Sequence, residues 1–506
     1  MYFVLFIQNC LFFSGFGKFH YLLLTICGLI YANTAIGITI ISFVLPSAQC
    51  DFRMTSEDKG ILTATPMLGM VLGSYFWGCL ADTKGRKVVL IATLFLDAFC
   101  GVASSMAQYF PIFMFFSVAG AMGICFPYLG EFQPTKHREK ILCWMEMFWT
   151  LGIIVLPLIA WGIIPIDTMR YVSDYFIFDS WNLFVALCAI PSLLLGIWLF
   201  AFPESPKFMM ECGDYDDALA VLKDIYHTNT GDAPENYPVM SAISQQYKSV
   251  RSLSMRKPKD LRRLFSEIWD QTKALCKPPH RKYTVLTCLI QFGLTTSYYT
   301  LMVWFPELFN RFEEFEAEHP GQSASVCEVS GVVHDTEGVD IFCGDPIKSS
   351  VYEHTLIIGL ACIPTSFILP LCVHRLGAKF FLTAVTIGLY FVQNSFQNLI
   401  LSCVFEALTS LGISLVYCVL VDLFPTNLSS DSSTILKFCN NSCSHFAKVA
   451  TEPFKIQPTY RDFTQIFYNG KKRLLSFGIQ FWPSLNVFNI AGPHPSDAGN
   501  ERRLFI

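Results

Sequence analysis

Apolar residues in this sequence gather into runs of about 20, such as 21–45 and 181–202, separated by short polar breaks. At about 1.5 Å per helical residue, a run of that length crosses a hydrocarbon layer of about 30 Å. The pattern predicts membrane-spanning helices at 21–45, 61–80, 88–107, 110–130, 144–165 and 181–202. A polar stretch, 203–283, follows, and then four more spans at 284–306, 354–373, 380–398 and 399–421. Within the polar stretch, Ala218, Leu219, Val221, Leu222 and Ile225 fall on one helical face, which predicts a short surface helix from Tyr215 to Tyr226. The fold class expected is an all-α membrane protein.

Charge in the short loops sets the orientation. Lys84, Arg86 and Lys87 follow span 2, Lys136, Arg138 and Lys140 follow span 4, and Arg375 and Lys379 follow span 8. The alternate loops are acidic, with Asp51, Glu57 and Asp58, then Asp167, Asp174 and Asp179, then a dense set from Glu307 to Glu353. The N-terminus and the basic loops are therefore expected on the cytoplasmic side. Residues 1–13 are apolar but have no basic lead and no small-x-small cleavage site, so they read as a lead-in to span 1.

Composition agrees with lipid as the main solvent: the chain has 506 residues, 53% hydrophobic and 15% charged, against about a quarter charged in soluble domains. A net charge of −4 offers no basic face for nucleic acid. Of the 19 cysteines, most lie inside apolar runs, where thiols pack as small hydrophobes. Cys327 and Cys343 sit in the acidic loop and form a candidate disulfide. No metal-spaced Cys/His cluster and no phosphate-cradling Gly-rich loop with Lys occurs, so no catalytic constellation and no cofactor is expected.

The chain also repeats itself. Asp82-Thr83-Lys84-Gly85-Arg86-Lys87 after span 2 aligns with His374-Arg375-Leu376-Gly377-Ala378-Lys379 after span 8. Gly130-Glu131-Phe132-Gln133-Pro134-Thr135 after span 4 aligns with Val421-Asp422-Leu423-Phe424-Pro425-Thr426 after span 10. Gly85 to Gly377 is 292 residues and Pro134 to Pro425 is 291, so two motifs hold nearly one offset. Two parallel halves joined by a long loop are a secondary-transporter plan. The stretch from Gly78 to Lys87 resembles the major facilitator signature between spans 2 and 3. Pro203-Glu204-Ser205-Pro206-Lys207 resembles the signature of its sugar and organic-ion branch, and the wider text, including Tyr31 to Gly37, is similar to the synaptic vesicle glycoprotein 2 group as found in insects. The resemblance covers about 15–430. It implies a major facilitator fold of two six-helix halves, a vesicle membrane and a part in regulated secretion. It also implies a cytoplasmic latch formed by Gly78, Asp82, Gly85, Arg86 and Lys87, in which Glu131 and Glu146 are expected to join.

The domain plan expected is a lead-in at 1–20, a first half at 21–202, a central loop at 203–283, a second half of four spans at 284–430 and an atypical tail at 431–506. Spans 11 and 12 are not found after Ser430, where a mixed stretch at 474–488 is broken by Gln480, Pro483 and Asn486. Ionisable groups inside spans mark candidate coupling sites, here Asp97 in span 3 and Glu406 in span 10. Asn33, Thr34, Trp149, Gln291, Tyr298, Tyr299 and Trp304 are the candidate substrate pocket, since such sites lie near the midplane between halves. The function expected is a transporter of a small organic solute or ion by alternating access, in a vesicle or plasma membrane, with secretory-vesicle proteins as further partners. A non-transporting vesicle regulator and an inactive shortened form remain the alternatives.

Overall fold

A computed structural model describes residues 10–120, 125–166, 171–173, 176–238 and 347–376, with short pieces between 281 and 407. The chain divides into two units, 1–450 and 451–506, and the second lies wholly outside the described residues.

The first half is a bundle of helices. Span 1 is α1 (Lys18–Thr39), continued after a turn at Ile40 by α2 (Ile41–Ser47), and a short α3 (Gln49–Phe52) follows. Span 2 is α4 (Ser56–Lys84) and span 3 is α5 (Arg86–Ser105). Span 4 is described over α6 (Phe110–Gly120) and α7 (Cys125–Glu131), and 121–124 lie outside the described residues. Span 5 is α8 (Thr135–Ile163) and span 6 is α9 (Ser180–Leu199). Among the described residues four segments, Lys18–Ser47, Arg86–Ser105, Trp144–Ile163 and Ser180–Leu199, are each long and apolar enough to cross a bilayer by themselves. Span 2 is less apolar because Thr63, Thr65, Pro66, Gly69, Gly73 and Gly78 dilute its apolar residues. Thr55 opens it with a capping box, accepting from the Asp58 N–H while Asp58 accepts from the Thr55 N–H, an arrangement that stabilises a helix start by about 1 kcal/mol.

One local feature departs from the all-α expectation. Tyr171–Ser173 (β1) and Phe176–Phe178 (β2) form an antiparallel hairpin between spans 5 and 6. These β-branched and aromatic residues lie in a loop beyond the span ends, where the backbone pairs with itself. Asp179, expected only as a topology charge, caps α9 together with Asn182.

Packing places α9 along α5 and sets α8 between α1 and span 8, the helix α12 (Ser349–Leu376). Helix α8 therefore joins the two halves. A cluster at the acidic-loop end buries Phe43, Trp181, Phe184, Phe309 and Tyr352, with the Phe43 and Tyr352 rings stacked at 5.7 Å. A second cluster at the basic-loop end buries Leu23, Tyr128, Phe132, Leu199 and Phe202. Phe99, Phe115, Leu194 and Ile197 point outward and are exposed, as lipid contact requires. In the central loop, α10 (Pro206–Cys212) leads to α11 (Tyr215–Thr230), which buries Ala218, Leu222 and Ile225 from the predicted apolar face. Ala218 and Leu222 pack with Cys10, Leu11 and Tyr237.

Candidate functional site

At the basic-loop end, the turn between α4 and α5 is made by Gly85 at φ +105°, a conformation that side-chain-bearing residues rarely adopt. A Cβ there would also collide with the Glu204 carboxylate. Glu204, from the Pro203-Glu204-Ser205-Pro206-Lys207 motif, accepts the Lys87 backbone N–H at 3.0 and 3.2 Å. A carboxylate thus sits on the unpaired N–H groups of the α5 N-terminus, where the helix dipole favours it. Lys87 Nζ donates to the Phe200 carbonyl at 3.0 Å, and Arg86 Nε donates to Glu131 at 3.2 Å with both side chains largely buried. Arg138 donates twice to the Gly130 carbonyl. Burial pulls its guanidinium below the usual value, with Glu131 opposing. These bonds tie spans 3, 4 and 6 and the start of span 5 together within the first half. Gly78 lies seven residues before the turn, on α4, and Asp82 belongs to the last turn of the same helix.

The seam between the halves is lined differently. Trp149 Nε1 on α8 donates to Tyr298 Oη at 2.8 Å, and the Tyr31 and Tyr299 rings lie 4.9 and 6.5 Å from the Trp149 ring. Tyr298 faces the carboxylate of Glu406, and Glu146 on α8 lies within electrostatic reach of that same carboxylate. Both carboxylates are buried. Glu146 thus belongs to the seam, while Glu131 stays with Arg86. Thr150 and Ser366 meet across the seam at 2.8 Å. Gly152 permits the closeness of α8 and α1, because a Cβ there would strike the Ala32 carbonyl.

A separate cavity of about 90 Å³ lies within the first half, lined by residues of spans 1 to 4 and 6, Asn33, Thr34 and Asp97 among them. Asp97 Oδ2 accepts from Ser192 Oγ at 2.5 Å and from Asn33 Nδ2 at 3.3 Å, and Asn33 Nδ2 also donates to Ser192 at 2.8 Å. The sequence-predicted pocket therefore divides. Trp149, Tyr298 and Tyr299 meet in the seam, Asn33 and Thr34 join Asp97 in the cavity, and Gln291 and Trp304 lie outside the described residues. The two candidate coupling carboxylates occupy these two different places.

At the acidic-loop end, Lys59 Nζ on α4 donates to Glu307 Oε1 at 2.6 Å, and Arg311 Nη2 reaches the same oxygen at 3.0 Å. The Lys59 and Glu307 side chains are 5% and 4% exposed. Burial alone would push the Glu307 carboxyl up, but Lys59 and Arg311 outweigh it and hold the group below the usual carboxylate range. This ion pair joins the first half to the second. Cys50, at the same end, is disulfide-bonded, whereas Cys27, Cys100, Cys188 and Cys362 inside spans are buried thiols. Cys327 and Cys343 lie outside the described residues.

The sequence profile of the "Sugar (and other) transporter" family matches residues 43–468. The chain belongs to that family. Its match runs past Ser430, where the apolar pattern fades, and so takes in the first part of the stretch read above as an atypical tail. Among relatives of this sugar-transporter family member, human synaptic vesicle glycoprotein 2B is 31% identical over 320 residues, 60% of this chain and 47% of that protein. Rat synaptic vesicle glycoprotein 2A is 30% identical over 326 residues, 59% of this chain and 43% of that protein. The chain spans about half the length of the curated relatives it matches. The inward-open xylose transporter XylE from E. coli superposes with a TM-score of 0.61 at 15% identity, covering 92% of this chain and 95% of that one. A partially occluded inward-open form of XylE gives 0.60 at 14% identity, with 87% and 94% covered. At that identity the likeness shows the fold, that of a multi-pass major facilitator protein.

For this sugar-transporter family member, sequence reasoning missed Ser192, Tyr31, Glu204, the seam placement of Glu146, and the Lys59–Glu307 pair. Lys59 did carry a signal, being a cation directly beside Glu57 and Asp58 at the start of span 2. Glu146 carried one too, since it lies about 9 Å farther along α8 than Lys140 at 1.5 Å per residue. Ser192 carried none, as a single hydroxyl in an apolar run is commonplace.

Proposed function

We propose that this protein is a secondary transporter that moves a small organic solute by alternating access, with the seam around Trp149, Tyr298 and Glu406 as the solute site. The observation that carries the reading is the juxtaposition, between two halves of a transporter fold, of the Glu146 and Glu406 carboxylates with the rings of Tyr31, Trp149 and Tyr299. Carboxyl groups next to aromatic faces suit a cation, whose charge favours their ionised form, so the solute is an organic cation. The basic loops and N-terminus face the cytoplasm, and by likeness to synaptic vesicle glycoproteins the membrane is that of a secretory vesicle or the cell surface. Vesicle proteins are partners on the same likeness. A thermal-stability screen of the purified chain against small organic cations and neutral sugars tests this. At least one cation should raise the unfolding temperature in wild type and not in Glu406→Gln; a screen in which no cation does so overturns the proposal.

A further inference from the structure

The lead-in before span 1 has two unlike sides. Residues 10–13 are helical, and the chain then turns at Gly15, which takes φ +71°. On one side Cys10 and Leu11 pack with Ala218 and Leu222 of α11 and with Tyr237, whose Oη donates to the Cys10 carbonyl at 2.7 Å. On the other, Phe12, Phe13 and Phe16 are exposed, as are Tyr21 and Leu22 in the first turns of span 1, all between 37% and 61%. The Phe12 and Phe13 rings lie 5.9 Å apart, and the Phe16 ring lies 5.3 Å from that of Tyr21. Asn229 on α11 keeps the lead-in level with span 1. Its Nδ2 donates to the Ser14 and Gly15 carbonyls at 3.1 and 3.0 Å, and its Oδ1 accepts from the Phe19 N–H at 3.1 Å. One short side chain bridges both segments, so neither stands far from the other.

Clustered aromatic rings left in water mark an interaction surface, and the place of these rings says what covers them. Tyr21 and Leu22 belong to the outward face of span 1, which meets lipid, and Phe16 touches Tyr21. The aromatic patch therefore continues the lipid face of span 1 past the end of the span. Rings of this kind suit the boundary between headgroups and acyl chains. Lys18, exposed between Phe16 and Tyr21 in the chain, supplies a cation for the headgroup phosphates. Asp216, Asp217 and Asp224 of α11 are exposed as well, the charge expected of a face turned to water. We propose that Phe12, Phe13, Phe16 and Tyr21 seat in the headgroup boundary of the leaflet at the basic-loop end, with Lys18 at its phosphates, and that the lead-in thereby fastens α11 to the bilayer surface. The start of the central loop is then held at two points, by Glu204 at the α5 N-terminus and by the lead-in at the membrane.

The test replaces Phe13 with trifluoromethylphenylalanine in the purified full chain, held in nanodiscs of phosphatidylcholine and phosphatidylserine. The ring is kept and the position is exposed, so folding is not at stake. Fluorine NMR then compares two broadening agents, a nitroxide near the top of a lipid acyl chain and a water-soluble gadolinium chelate. The nitroxide should erase the Phe13 signal while the chelate leaves it, and the same probe at Asp224 should show the reverse. A Phe13 signal broadened by the chelate as much as or more than by the nitroxide places the ring in water, and one that neither agent broadens places it under protein; either result overturns the proposal. Loss of the Asp224 signal to the nitroxide overturns it too, because α11 would then turn its acids to lipid. No solute enters the measurement, so its outcome is independent of the transport reading.

Discussion

Replacing Glu307 with Gln removes the carboxylate that pairs with Lys59 and leaves that ammonium in a site where it is 5% exposed. At the observed 2.6 Å and an effective dielectric constant of about 20, the gross attraction is about 6 kcal/mol. Desolvation of both groups cancels part of this, and losing one partner of a buried pair costs about 3–5 kcal/mol in practice. Arg311 changes the sum little, since at 15% exposure it can turn toward water. Because the pair links the halves, the cost falls on the state closed at the acidic-loop end, whose population should drop more than about a hundredfold against the opposite state. The assay is a double-mutant cycle with Lys59→Met, Glu307→Gln and the double variant, followed by equilibrium unfolding in mixed micelles. A coupling energy of about 3 kcal/mol is expected, the double variant being more stable than either single sum predicts. Single effects below about 1 kcal/mol that simply add would place the pair with exposed salt bridges and refute the reasoning.

The same pair fixes a pH dependence. The Glu307 carboxyl is held below its ordinary value, so its contribution is present above the unfolded value of about 4.3 and is lost as pH falls through the lower folded value. Wild type and Glu307→Gln should therefore differ in unfolding temperature at pH 5.5 and 7.5 alike and converge only below about pH 4. Gly85→Ala should destabilise by about 1–3 kcal/mol, because it forces a side chain into a positive φ and against Glu204; denaturant titration reads this directly. Trp149→Phe keeps an aromatic ring and deletes the donor to Tyr298, so stability should fall by about 0.5–1.5 kcal/mol.

Spans 1 to 6 and span 8 were legible because lipid demands long apolar runs, while spans 7, 9 and 10 lie wholly or mostly outside the described residues; the Gly85 turn was legible because a backbone constraint shows in residue type. Partner choice was not. Asp97 and Ser192 lie 95 residues apart in the chain (192 − 97), and their meeting depends on how spans 3 and 6 rotate about their axes, which an apolar run leaves undetermined. Asn33 was read as part of a central pocket since it lies mid-span; its rotation places it toward spans 3 and 6 instead. The Trp149–Tyr298 contact lay within reach of pattern reading, as both are amphipathic aromatics in spans that face the seam. The hairpin at 171–178 was hidden by its shortness.

The claim that matters most is that the seam carries a solute across the membrane, and flux tests it most directly. With the chain reconstituted in proteoliposomes and loaded with an organic cation that stabilises it, exchange for external radiolabelled cation should be saturable in wild type and lost in Glu406→Gln, while a folded Gly85→Ala protein retains binding. Exchange no faster than in empty liposomes for every stabilising cation, or exchange that Glu406→Gln leaves unchanged, would contradict the account.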